Sequence, residues 1–451
     1  MQTNFTPDQL RDSNIAESNK ILRKCVHCGF CTATCPTFKI LGDELDSPRG
    51  RIYLIKDMLE NERPATEKVV KHLDRCLSCL SCMTTCPSGV HYMHLIDNAR
   101  AYIEKTYDRP WHDRLIRSFL AATLPYPARF RFILRFGAVG RLFTGILKAI
   151  PGMRRLAAMT ELAPRSIPAA TATTRPGLFP AAGETKGRVA LLSGCAQPVL
   201  KPEINDATIR LLNRRGIEVV LPRGEGCCGS LVHHMGREHA SLEQARNNVD
   251  VWTREIEAGG LDAILITASG CGTTIKDYGY MLRDDPAYRQ KAETVSGLAR
   301  DITEYVMGLD LGEPVNETGL RVAYHSACSM QHGQKITLQP KIILKKAGFD
   351  VRDVPDGHLC CGSAGIYNIM QPVIAEELRD RKVENIRSTE PDLIATGNIG
   401  CITQIASGTG LPIIHTVELL DWAYGGYKPD GIPDARPAAR TSLDYLMDAA
   451  E

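Results

Sequence analysis

Two cysteine runs set the terms on which this chain can fold. Cys25-Val26-His27-Cys28-Gly29-Phe30-Cys31-Thr32-Ala33-Thr34-Cys35-Pro36 and Cys76-Leu77-Ser78-Cys79-Leu80-Ser81-Cys82-Met83-Thr84-Thr85-Cys86-Pro87 both read C-x2-C-x2-C-x3-C-P. A thiolate every third residue lets a loop wrap one face of a small cube, its backbone N–H groups turned toward the sulfides. The fourth cysteine, one residue further on, points away, and Pro closes the turn because it cannot extend a hydrogen-bonded ladder. In chains with two such runs the fourth thiolate of each crosses to the cluster held by the other. The spacing therefore predicts two [4Fe-4S] clusters, one on Cys25, Cys28, Cys31 and Cys86, the other on Cys76, Cys79, Cys82 and Cys35. Structural zinc is the alternative, but zinc ribbons rarely place three thiolates at this interval.

With 451 residues the chain exceeds one typical core, so two to three are expected. Its formal net charge of +2 gives no global reason to expect nucleic acid. Sixteen cysteines would suggest disulfides in a secreted chain, yet the first residues lack a basic stretch followed by an apolar one. Thiols on metal in a reducing compartment are the expectation. No apolar run approaches the ~20 residues of a membrane helix. A cytoplasmic location follows, at most peripheral on the inner face of the cytoplasmic membrane.

The cysteine runs sit among helical patterns: Asp8 to Lys24, Gly50 to Glu60, Ala65 to Asp74 and His94 to Lys105. Ser47-Pro48-Arg49-Gly50-Arg51 puts two guanidinium groups near the expected clusters, either to offset their charge or as a helix start with solvated arginines. From Arg114 to Arg155, arginines interleave with Phe119, Phe130, Phe132, Phe136 and Phe143, and no Asp or Glu appears. Such a segment suits an anionic membrane surface or an acidic partner; equally, it is a helical arm whose arginines pair elsewhere in the protein. Glu161 to Gly187, rich in Ala, Pro and Thr, reads as a linker.

An internal repeat follows. Val189-Ala190-Leu191-Leu192-Ser193-Gly194-Cys195 precedes Cys227-Cys228-Gly229, and Val322-Ala323-Tyr324-His325-Ser326-Ala327-Cys328 precedes Cys360-Cys361-Gly362, with 32 residues from single cysteine to doublet in both halves. Each half then offers a helix, a buried strand and a further cysteine, Cys271 or Cys401. Strand–helix alternation predicts parallel α/β units with the cysteines at the strand carboxyl ends. Four thiols per lobe could hold a further iron–sulfur cluster, with Gly229 and Gly362 letting backbone approach it; a redox dithiol at each doublet and an inherited structural group stay open. His27, His91, His94, His233, His234, His325, His332 and His358 lie near cysteine loops, and the sequence selects none for a proton relay.

Tandem helical-ferredoxin runs followed by a duplicated cysteine domain resemble the iron–sulfur subunits of bacterial glycolate oxidase. Gly194-Cys195-Ala196-Gln197-Pro198, Thr267-Ala268-Ser269-Gly270-Cys271-Gly272 and His358-Leu359-Cys360-Cys361-Gly362-Ser363-Ala364-Gly365 carry the likeness, with the first cysteine run and Pro48 to Lys56. The iron–sulfur subunits of anaerobic glycerol-3-phosphate dehydrogenase, of lactate utilisation and of heterodisulfide reductase share the architecture. The resemblance implies an α+β multidomain chain: a helical ferredoxin domain over 1–105, a basic arm over 106–160, a linker over 161–187, cysteine-rich CCG lobes over 188–312 and 313–430, and a tail over 431–451. It implies partner subunits that carry FAD and oxidise glycolate to glyoxylate, with this subunit passing electrons to a quinone or another acceptor. Cys271 is followed by Gly272-Thr273-Thr274 and Cys401 by Ile402-Thr403-Gln404, so the additional cysteine of the heterodisulfide-reductase pattern is missing from both lobes. Two rivals remain: reduction of a disulfide or quinone on the lobes, and an iron–sulfur sensor or scaffold that turns nothing over.

Overall fold

A computed structural model describes residues 1–434. The tail expected over 431–451 lies outside the described residues from 435 onward. The amino-terminal part is helical, and local chemistry starts each helix. Asp12 caps Ser13–Lys24 by accepting from the N–H groups of Asn14 and Ile15. Ser47 Oγ accepts from Gly50 N at 3.0 Å, and Pro48 occupies the first turn of Pro48–Glu60, where its missing N–H costs nothing. Thr66 caps Glu67–Asp74, and Tyr92–Thr106 follows the second cysteine run. Ile21, Leu22, Ile55, Leu73, Leu95, Ile96 and Ile103 close a core between these helices. Each such side chain contributes about 1.5–3 kcal/mol by leaving water.

The basic stretch forms four helices, Trp111–Thr123, Pro127–Gly140, Thr144–Ala149 and Arg154–Leu162. Its arginines divide between paired and exposed ones. Arg117 pairs with Asp113 and Asp74, Arg155 with Asp113, and Arg131 and Arg141 donate to backbone carbonyls. Arg114, Arg129, Arg135 and Arg154 are exposed. Within the Ala/Pro/Thr-rich stretch, β1 (Gly177–Phe179) pairs antiparallel with the edge of the first sheet.

That sheet comprises β1, β2 (Gly187–Leu191), β3 (Ile217–Leu221), β4 (Ala263–Ile266) and β5 (Ala299–Asp301), in the order β1-β3-β2-β4-β5. The second comprises β6 (Arg321–Tyr324), β7 (Asp350–Asp353), β8 (Leu393–Thr396) and β9 (Ile413–His415), in the order β7-β6-β8-β9. Apart from β1 every pairing is parallel. The repeat is thus topological: β3-β2-β4-β5 matches β7-β6-β8-β9. In each sheet the chain leaves the first strand to one side and returns on the other, which opens a crevice at the carboxyl ends of β2 and β4, and of β6 and β8. One apolar core runs through both lobes, from Val189 and Leu191 to Val322 and Leu420. Arg210 and Arg214 converge on the buried Asp421 and tie the lobes further.

Candidate functional site

The first cysteine loop leaves the Ser13–Lys24 helix at Cys25 and turns through left-handed backbone at His27 (φ 55°) and Gly29 (φ 87°). The second loop repeats the device at the equivalent positions, Ser78 (φ 50°) and Leu80 (φ 61°). Three of these four residues carry a side chain that disfavours that conformation, and such strain gathers at functional sites. The turns aim N–H groups inward, and Ser78 N donates to Cys76 Sγ at 3.4 Å.

Two adjoining cavities result. One, about 430 Å³ counted to its open mouth, is lined by Cys25, Cys28, Cys31, Cys82 and Cys86, with Arg49 on its wall. The other, about 310 Å³, is lined by Cys35, Cys76, Cys79 and Cys82, with Arg51. Cys82, Pro48 and Tyr92 stand in both walls. Burial pushes the Cys31 thiol up to about 11 and those of Cys79 and Cys82 well above their ordinary range. Thiols so crowded and dry ionise around a bound metal, and among the described residues no carboxylate lines either cavity. This donor set fits iron–sulfur clusters.

Arg51 is not solvated. Its Nε donates to His72 O at 2.7 Å, its Nη2 to Thr37 Oγ1 at 2.9 Å, and Nη1 lies 3.9 Å from Cys35 Sγ. Asp46 balances it, accepting also from Arg75 at 2.8 Å and facing His72 at 3.0 Å. Against the cost of burial, the thiols of Cys76 and Cys35, Tyr92 and Asp46 hold the guanidinium firmly charged.

In each lobe the four cysteines gather at the crevice. In lobe 1 Cys195 Sγ lies 3.7 Å from Cys227 Sγ, and Cys228 faces Cys271. In lobe 2 Cys328 Sγ lies 3.7 Å from Cys360 Sγ, and Cys361 Sγ 3.4 Å from Cys401 Sγ. All are free thiols. The doublet glycines bring backbone to the thiols, Gly362 N donating to Cys360 Sγ at 3.5 Å, and they also pack tightly. A Cβ on Gly362 (φ 90°) would lie 2.5 Å from Ala375 O, and one on Gly229 (φ 88°) 3.1 Å from Ser241 O.

The histidines separate by location. His332 Nε2 donates to His358 O at 3.0 Å, so its Nδ1 accepts from Thr84 Oγ1 at 2.8 Å and joins the second cysteine loop to lobe 2. His94 faces Asp277 at 3.0 Å and stacks on Tyr280, and His233 faces Asp97 at 3.3 Å; both pin the helical part to lobe 1. His27 stands on the wall of the first cavity. His325 lies inside the lobe 2 cysteine group, and burial with Lys382 nearby pulls it down to about 3. The sequence signal for it was the contrast with Leu192 at the same place in lobe 1.

Contact between the halves is uneven. Cys79 and Cys360 share a buried apolar cluster with Leu77, Tyr367 and Leu378, with Cys328 at its edge. Tyr367 also donates to Arg75 O at 3.0 Å. The second cavity therefore abuts the lobe 2 cysteines directly.

Comparison with known proteins agrees with this division. Residues 21–90 match the model of a 4Fe-4S dicluster domain, and 189–276 and 322–406 each match that of a cysteine-rich domain. The glycolate oxidase iron–sulfur subunit of Escherichia coli is 44% identical over 94% of this chain and 99% of its own. A probable glycolate oxidase iron–sulfur subunit of Bacillus subtilis is 32% identical over 90% of this chain and 94% of its own. A crystal structure of a hypothetical protein from Helicobacter pylori, 10% identical, superposes with a TM-score of 0.52 over 92% of this chain and 73% of that one, a likeness of fold.

Proposed function

The chain belongs to the family of glycolate oxidase iron–sulfur subunits, and from that premise we propose that it carries electrons within a glycolate-oxidising complex. Partner subunits bearing FAD take two electrons and two protons from glycolate, leaving glyoxylate. This subunit then passes the electrons on to a quinone or another acceptor. We assign Cys25, Cys28, Cys31 and Cys86 to one [4Fe-4S] cluster, and Cys76, Cys79, Cys82 and Cys35 to the other. When bound, these clusters supply one-electron carriers.

The chain's own residues do the rest. Arg49 and Arg51 place positive charge beside the thiolates, which favours the reduced state. The walls of both cavities are largely apolar, and Pro48, Cys82 and Tyr92 stand between the two centres and keep them adjacent. The observation that carries the reading is Cys79 packed with Cys360, which runs the file of thiols on into lobe 2. The test is Cys25→Ser and Cys79→Ser in the whole complex, with iron content and EPR of the anaerobically purified protein. Loss of one cluster signal with loss of glycolate-dependent quinone reduction supports the relay; wild-type turnover leaves the sensor or scaffold reading.

The arm supports a place on the inner face of the cytoplasmic membrane. Phe132, Phe136, Val139, Leu142, Phe143 and Ile146 are all at least half exposed. No acid occurs between Arg114 and Thr160. Among the described residues no helix is long and apolar enough to cross a membrane, so this contact lies in the surface plane.

A further inference from the structure

The two lobes repeat a fold, yet one buried position differs in kind. His325 and Leu192 each stand three residues before the single cysteine of their lobe, at the end of β6 and β2. Leu192 is 2% exposed and His325 1%. Since leucine fills the position in lobe 1, packing alone does not require an imidazole there. Among the described residues neither ring nitrogen of His325 has a hydrogen-bond partner. Buried polar atoms are nearly always paired, so two orphans on one ring call for an explanation. A ring nitrogen of His325 and the sulfurs of Cys361 and Cys401 lie within 4.8 Å of one another.

We propose that His325 is a nitrogen ligand to a metal centre in lobe 2, together with Cys361 and Cys401, so that this lobe holds a mixed imidazole–thiolate centre that lobe 1 cannot form. The inference deepens the relay reading, because it sits where the file of thiols from Cys79 through Cys360 ends. The ion is a borderline-soft transition metal, either iron of an iron–sulfur centre or zinc, since both accept mixed nitrogen and sulfur donors. Lys382, 2% exposed and donating to Asp356 O at 2.8 Å, brings a cation that offsets the thiolates. Lobe 1 differs there too. Two residues before its doublet it places the half-buried Glu225, whose carboxylate accepts from Ser193 N at 2.8 Å, where lobe 2 has His358.

The test uses the full chain, purified anaerobically with its native metals, as wild type, His325→Leu and His325→Cys. Iron and zinc per chain are counted by mass spectrometry. Pulsed EPR of protein labelled with ¹⁵N-histidine reads imidazole bound to iron, and X-ray absorption at the zinc edge reads it bound to zinc. The expected result is an imidazole nitrogen in the wild type, metal lost from His325→Leu, and metal kept in His325→Cys with sulfur replacing nitrogen. A lobe 2 without metal, a wild-type centre without imidazole nitrogen, or His325→Leu with unchanged metal and spectra would each overturn the proposal. The wild-type spectra decide even if a variant misfolds. Cys25→Ser stops the relay without touching the imidazole signature, so failure of the relay and failure of this ligand appear in different readouts.

Discussion

Arg51 holds Nη1 3.9 Å from Cys35 Sγ while remaining 1% exposed, so a full positive charge sits in the dry wall of the second cavity. Asp46, itself 0% exposed, balances that charge while also accepting from Arg75 and facing His72. Removing one partner of a buried pair strands the other.

Arg51→Met is therefore expected to destabilise the chain by about 3 kcal/mol. It is also expected to shift the neighbouring cluster to a more negative potential, because a cation beside the thiolates is gone. Arg51→Lys keeps the charge and loses the fork, so the potential moves less than the stability. Thermal unfolding and redox titration followed by EPR check both; an unchanged potential in Arg51→Met would refute the electrostatic role.

The pair of Asp97 with His233 gives the contact of helical part and lobe 1 a pH signature. Burial pushes the Asp97 carboxyl up, but His233 and His234 overcome it and hold it well below its usual 3.8. Burial also opposes the charge on His233, and Asp97 outweighs it, so that imidazole titrates above its usual 6.5. The carboxylate's contribution is present above pH 3.8 and fades as acid protonates it at lower pH; the imidazolium's is full below pH 6.5 and fades as pH rises through its raised value. Asp97→Asn should thus cost most, about 3 kcal/mol, near pH 5 to 6, and less toward pH 8. Denaturation midpoints across pH check this, and a cost independent of pH would count against the ion pair.

Two glycines with similar left-handed backbone should respond differently to alanine. At Gly29 the added Cβ meets only the end of the Arg49 side chain, which can swing away, leaving a conformational cost of about 1–2 kcal/mol. At Gly362 it meets the backbone carbonyl of Ala375 at 2.5 Å, which belongs to a packed helix and cannot yield. Gly362→Ala should cost more than twice as much as Gly29→Ala and disturb lobe 2 first. Equal losses in urea unfolding would show that this close approach is unimportant.

If the arm rests on lipid, Phe132→Glu with Phe136→Glu should cut binding to anionic vesicles more than tenfold, since each exposed phenyl that enters the interface is worth about 1.5–3 kcal/mol. High salt should weaken the wild type as well, through Arg129 and Arg135. Co-sedimentation with vesicles reads both effects, and equal pelleting of variant and wild type at low salt would argue for a protein partner on that surface.

How far the sequence carries varies with the kind of interaction. The helices around the cysteine runs and the strands before each lobe cysteine depend on local pattern and capping, and are legible to within a few residues: Gly50 to Glu60 is Pro48–Glu60, and His94 to Lys105 is Tyr92–Thr106. The burial of Arg51 was not legible, because it depends on Asp46 and His72 arriving from other segments. Nor was β1 within the stretch read as linker, since three residues without alternation pair only because β3 offers a free edge. Which lobe meets which cysteine loop is likewise a matter of docking, settled by Tyr367, His332 and Leu77 rather than by spacing. His325 is legible in the repeat, because lobe 1 carries Leu192 at the same distance before its single cysteine.

The shared core of the lobes, clamped by Arg210 and Arg214 on Asp421, has a mechanical consequence. Among the described residues, two lobes fused in this way share one packed core and leave no open seam between them on which to swing cargo from donor to acceptor. Conduction across the fused lobes then needs no movement of one against the other, and its pace should not change when the surrounding solution is thickened with glycerol.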